Sequence, residues 1–89
     1  MAADDYLLQV GAFERRELAV AEAQRIGRPE MLVLPTQRDG RDIFVLVLGV
    51  YPTEAEAAAA GDAYMEENPG GTVWVRPASD VRTAIAARD

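Results

Sequence analysis

"EMLVLPTQRDGRDIFVLVLGV", residues 30–50, is two apolar runs on either side of Asp39-Gly40. Asp-Gly suits a two-residue hairpin turn, whose central residues need positive φ, so the stretch reads as two antiparallel strands. That turn sets the register: Arg38 faces Arg41, Thr36 faces Ile43, Leu34 faces Val45 and Leu32 faces Val47. Those eight residues share one face of the hairpin. Met31, Val33, Pro35, Phe44, Leu46 and Leu48 take the other.

The second strand has an earlier relative in the chain. "LLQVGAF", residues 7–13, returns as "VLVLGVY", residues 45–51, and each copy runs into an alanine-rich helical pattern. Aligning the copies sets Ala19 on Ala57, Ala23 on Gly61 and Ile26 on Tyr64, an i, i+4, i+7 stripe in both helices. Small residues at matched places let both helices lie close to a sheet. The first helix is expected to stop at Gly27, and the second to start with a Thr53/Glu56 capping box. "TVWVR", residues 72–76, is a last short strand.

The order is β-α-β-β-α-β. It predicts an α+β fold of ferredoxin-like (RNP-like) type, a four-stranded antiparallel sheet with two helices on one face. The repeat equates Leu8 and Val10 with Leu46 and Leu48 and turns all four toward the helices. Leu7 and Gln9 then lie on the outer face; alternation sends Val73 and Val75 inward, Trp74 and Arg76 outward. Gly11 and Gly49 read as strand exits, and Gly61 as a close helix contact.

The outer face would therefore carry Leu7, Leu32, Leu34, Ile43, Val45, Val47 and Trp74. A sheet with one wet face alternates apolar and polar residues, whereas near-continuous apolar strands imply cover on both sides. "ASDVRTAIAARD" supplies a candidate cover, a short extra helix over 79–88 capped by Ser79 and presenting Val81, Ala84 and Ile85. About ten residues cannot span four strands spaced about 4.8 Å apart, so a groove is expected beside the helix.

Composition narrows the function. Eighty-nine residues make one domain, here 1–89 with its core over 6–77. The chain has no cysteine and no histidine, which removes thiol and imidazole catalysis and the commonest metal ligands; neither a metal nor another cofactor is expected. Nine arginines against fifteen acids give a net charge of −6, which disfavours nucleic acid as a partner. No apolar run approaches the roughly 20 residues of a membrane span, and "MAADD" lacks the regions of a signal peptide, so no membrane insertion of this domain is expected. Asp39 with Asp42, and Glu66 with Glu67, are close carboxylate pairs of the kind that sugar hydrolysis uses. They fall on a turn tip and a helix end, and no catalytic role is expected of them.

"YLLQVGAF", the alanine-rich first helix, "FVLVLGVYPTEAEAAAA" and the aromatic of the last strand together resemble the SPOR domain, over residues 6 to about 77. "VWVRPASDVRTAI" further resembles the subgroup found at the end of a bacterial cell-division protein, where a Trp, a basic residue and a Pro precede an added helix. The resemblance implies a non-catalytic module that binds peptidoglycan glycan strands stripped of stem peptides at the division septum. It implies a periplasmic location, as the C-terminal module of an inner-membrane-anchored protein, with other cell-division proteins as further partners and the domain itself a monomer. Carried over by position, the glycan-binding residues are Gln9, Ala12, Ile43 and Trp74, with Val45 as apolar floor and Arg76 beside Trp74. Relatives can place a serine at the position of Ala12, and the subgroup an aromatic at that of Ile43.

The residues themselves suit such a ligand. Trp74 offers a stacking surface for sugar C–H faces, or else packs under the third helix. Gln9, polar within an apolar strand, needs an amide partner or a ligand. Arg38, Arg41 and Arg76 are expected to converge around the platform and meet the lactyl carboxylate of muramic acid. Leu7, Val45 and Val47 would form the floor. The alternative reading is a protein-interaction or dimerisation module of the same fold using the apolar face.

Overall fold

The computed structural model describes residues 4–86. The elements are β1 (Tyr6–Phe13), α1 (Arg16–Ile26), β2 (Leu32–Arg38), β3 (Arg41–Tyr51), α2 (Glu54–Glu67), β4 (Trp74–Pro77) and α3 (Ala78–Ala86). The strands form one antiparallel sheet in the order β2-β3-β1-β4, the expected ferredoxin-like topology with the repeated phrase at its centre.

The hairpin turn forms as its sequence requires. Asp39 and Gly40 have φ of 51° and 78°, the pair of positive values that matches the twist of the flanking strands. Every cross-strand pair expected for β2 and β3 is present, from Leu32 opposite Val47 to Arg38 opposite Arg41.

α1 and α2 pack on the face formed by Leu8, Leu48, Val10, Met31, Val73 and Val75. Ala19 on α1 and Ala57, Gly61 and Tyr64 on α2 are the buried residues of the expected stripes. A Cβ at Gly61 would sit 3.3 Å from Leu8 Cδ1 and 3.4 Å from Val73 Cγ2, so the missing side chain sets how closely α2 approaches the sheet. Thr53 Oγ1 accepts the Glu56 N–H at 3.1 Å, and Gly27 ends α1 at φ 74°.

Gly11 and Gly49 are not strand exits; both lie within strands. A Cβ at Gly11 would come within 2.8 Å of the Phe13 ring, and one at Gly49 within 3.0 Å of the Tyr51 hydroxyl. In both copies the glycine makes room for the aromatic ring two positions on. The same region holds two register shifts between β1 and β3. From Leu7 to Gln9 the partner moves from Val50 to Val47, and from Gln9 to Gly11 only from Val47 to Leu46. Each central strand thus carries one extra residue, a β-bulge, and its side-chain alternation flips there.

α3 covers the outer face, but its start differs from the sequence expectation. β4 continues to Pro77 and passes directly into the helix at Ala78, whose N–H donates to the Asp5 carbonyl at 2.8 Å. Ser79 is therefore already inside the first turn and does not cap it; its carbonyl accepts the Thr83 hydroxyl at 3.0 Å. The last two residues of the expected helix, 87 and 88, lie outside the described residues. β4 also starts later than expected, at Trp74, although Val73 still packs in the core. Among the described residues no helix is long and apolar enough to cross a membrane.

Two substitutions test these contacts by urea unfolding. Gly61→Val pushes α2 off Leu8 and Val73 and should lower stability by about 2 kcal/mol. Val81→Ala opens a void beneath α3, where Val81 is fully buried, and should cost about 2 kcal/mol. Stability unchanged in the second variant would mean that α3 is not anchored through this residue.

Candidate functional site

The outer face is divided between α3 and a groove. Ala78 and Val81 of α3 close over Leu7, Val45 and Val47, with Leu34, Ile43 and Ile85 packed around them. The expected floor is corrected accordingly: Leu7 and Val47 are sealed under the helix, and only Val45 of the three lines the groove. The expectation that so short a helix cannot span the sheet is corrected: α3 leaves β4 at one edge and crosses over β1 and β3 to pack against β2 at the other, so the groove lies beside it along the strands.

What α3 leaves open is a groove of about 400 Å³. β1 contributes Gln9 and Ala12, β3 contributes Ile43 and Val45, and β4 contributes Trp74 and Arg76, so all six residues singled out from sequence line the same groove. Ala12 arrives by way of the bulge. Strict alternation from Gln9 would turn residue 12 toward the helices, but the shifted register pairs Ala12 with Val45 on the outer side.

Trp74 is 58% exposed, more than any other large hydrophobic residue described, so it does not pack under α3. Arg76, two positions along the same strand, shares its face. The guanidinium carbon lies 5.0 Å from the indole centroid, a cation–π contact contributing roughly 0.5–1 kcal/mol at an exposed site. β1 pairs Gln9 with Trp74 and Leu7 with Arg76, which sets Arg76 diagonal to Gln9; Arg76 Nη1 donates to Gln9 Oε1 at 3.0 Å. The polar residue in the apolar strand therefore has its partner.

The far side of the groove comes from α3 and β2, the two elements expected on this face, with Asp80 as a residue that the sequence reading did not single out. Asp80 and Ala84, one turn apart on α3, form one wall, and Thr36 and Arg38 approach from β2. Thr36 is buried and satisfied, its hydroxyl donating to the Ile43 carbonyl at 2.8 Å. The covering side expected of the helix held Val81, Ala84 and Ile85; Val81 and Ile85 do pack on the sheet, whereas Ala84 stands with Asp80 at the groove.

The three arginines do not converge. Arg38 and Arg76 line the groove, while Arg41 lies outside it, 3.9 Å from Glu14 in a pair that is mostly exposed. A longer-range ion pair, Arg28 with Glu67, joins the turn after α1 to the end of α2 and is likewise remote from the groove. Asp80 is the one carboxylate in the lining, whereas the two-carboxylate chemistry of sugar hydrolysis requires a pair across the cleft. Among the described residues no group of three or more His, Cys, Asp or Glu is placed to hold a metal ion.

Comparison with known proteins agrees with this architecture. The family model described as SPOR domain matches residues 2–76. Cell division protein DamX of Serratia marcescens is 34% identical over 77 residues, covering 86% of this chain and 36% of that protein. The chain thus spans about a third of the length of that curated relative. The match over most of the sequence, on a sheet of the expected order with the repeated Gly-x-aromatic phrase at its centre, means that the chain belongs to the SPOR domain family.

Proposed function

We propose that this chain is a non-catalytic module that binds bacterial peptidoglycan through the groove on the outer face of its sheet. The observation that carries the reading is the groove itself: a stacking indole, an oriented amide, a guanidinium and an apolar floor lie together on the face away from α1 and α2. Carbohydrate recognition needs this combination, because a sugar ring offers C–H faces to an aromatic plane and a polar rim to hydrogen-bonding groups.

The finer target is glycan strands stripped of stem peptides, as amidases leave them at the division septum. Membership of the SPOR family and the likeness to a cell division protein support a role at the division site. In this reading the module works in the periplasm and concentrates the protein to which it belongs where new septal wall is processed. Ala12 and Ile43 occupy positions that relatives can fill with a hydroxyl and a ring. Their small and aliphatic side chains keep the groove apolar there and place most of the stacking on Trp74.

The alternative of a docking or dimerisation surface needs a broad apolar platform on the same face. α3 takes much of that platform, burying Leu7, Val45 and Val47 within the chain, so the observations favour the glycan reading.

Retention on amidase-treated sacculi tests the proposal. Wild-type protein should be held, and Trp74→Ala should lose on the order of tenfold in affinity, the value of one aromatic contact in a binding site. Its melting temperature should stay within a few degrees of wild type, since the indole is mainly solvent-exposed. Equal retention of both proteins, or of neither, would sink the reading.

A further inference from the structure

The sheet ends in two edge strands of unequal length. β4 has four residues and runs directly from Pro77 into α3, which leaves little of it to pair with. β2 is the longer edge, the seven residues "LVLPTQR", and it is bonded on one side only. In a two-residue hairpin the closing pair, here Arg38 and Arg41, exchanges both of its backbone hydrogen bonds. Alternation from that pair turns the backbone groups of Thr36, Leu34 and Leu32 toward β3. Those of Gln37, Pro35 and Val33 point away from the sheet, and among the described residues no other segment's backbone bonds to them. Such an edge is a ready template for another strand.

Proteins keep an edge single by shortening the strand, bulging it, covering it, placing a charge on it or inserting proline. The first four devices are missing along most of β2. Its register with β3 is unbroken from Leu32 to Arg38, and its first six residues carry no charge. Leu32 is exposed, and beside the edge lies a hollow of about 370 Å³ lined by Val20 and Ala23 of α1 with Met31 and Val33. Pro35 remains. It stands at the middle of the strand with its nitrogen turned outward, so the missing N–H is lost from the free edge and not from the ladder with β3. We propose that Pro35 is the residue that stops β2 from pairing with β2 of a second copy of this chain. In an antiparallel pairing across a two-fold axis at the strand centre, each proline leaves the carbonyl facing it without a donor and sets its ring where that hydrogen would lie. Displacing the register keeps both losses and shortens the pairing. With a donor at position 35, the apolar run from Leu32 to Leu34 would continue into an edge able to pair along its whole length. The device is independent of what the groove binds.

The test is Pro35→Val, which restores the donor with a side chain suited to a strand. Two quantities are read together: mass by light scattering over a rising concentration series, and hydrogen exchange of the new amide at position 35. Wild-type protein should keep the mass of one chain throughout. The variant should show about a twofold rise in mean mass, the step from one chain to a two-fold pair. Its new amide should exchange freely when dilute and slowly when concentrated. A folded Pro35→Val protein that stays single at every concentration overturns the proposal, and so does association in which position 35 still exchanges freely. If Pro35→Val loses its circular dichroism spectrum, Pro35→Thr, which also restores the donor, decides by the same two readouts.

Discussion

A four-stranded sheet whose central strands are apolar on both faces has to be covered twice, and that requirement organises the molecule. One cover is conventional: α1 and α2 use alanine and glycine to lie close on Leu8, Leu48 and their neighbours. The other is α3, nine residues that close over Leu7, Val45 and Val47. Without the second cover, the outer face would be an exposed apolar patch of the kind that usually marks an interface. With it, most of that surface is internal. The functional surface is what a short helix leaves uncovered.

That division gives α3 two roles. Val81 and Ala78 hold the sheet, while Asp80 and Ala84 stand one position away and form the groove's wall. The family match ends at residue 76, before the helix begins, so the wall is built by residues beyond the matched span. Its anchor is backbone: the Ala78 N–H reaches the Asp5 carbonyl where β1 starts, tying the helix origin to a central strand.

The groove also depends on the paired bulges. A regular β1 would show Gln9 and Ala12 to opposite faces; the extra residue lets both face the groove, between Val45 and Trp74. The repeated glycines lie in this irregular region, and each is overlaid by its own aromatic ring. The phrase written twice in the sequence encodes two related strand distortions, which is more than the strand-plus-exit reading implied. The polar wall is equally a product of pairing. Arg76, Gln9 and Trp74 come from two strands whose register sets the guanidinium between an amide and an indole.

Much of this was legible in the chain. Asp39-Gly40 determined the hairpin and its register, because a two-residue turn leaves no freedom in the pairing. The repeat determined the central strands and the helix stripes, and alternation determined which face Trp74 and Arg76 take. The need for a second cover, and its identity as the C-terminal segment, also followed from an apolar pattern that no half-wet sheet would carry. Tertiary structure alone decided where that cover sits: Leu7 and Val47 passed from expected floor to interior, Arg41 fell outside the groove, and Asp80 and Ala84 entered it. The physical reason is the same in each case. Local pattern fixes the direction of a side chain within its own element, whereas the bulges and the docking of α3 depend on contacts between segments far apart in sequence, to which turn chemistry and periodicity do not extend.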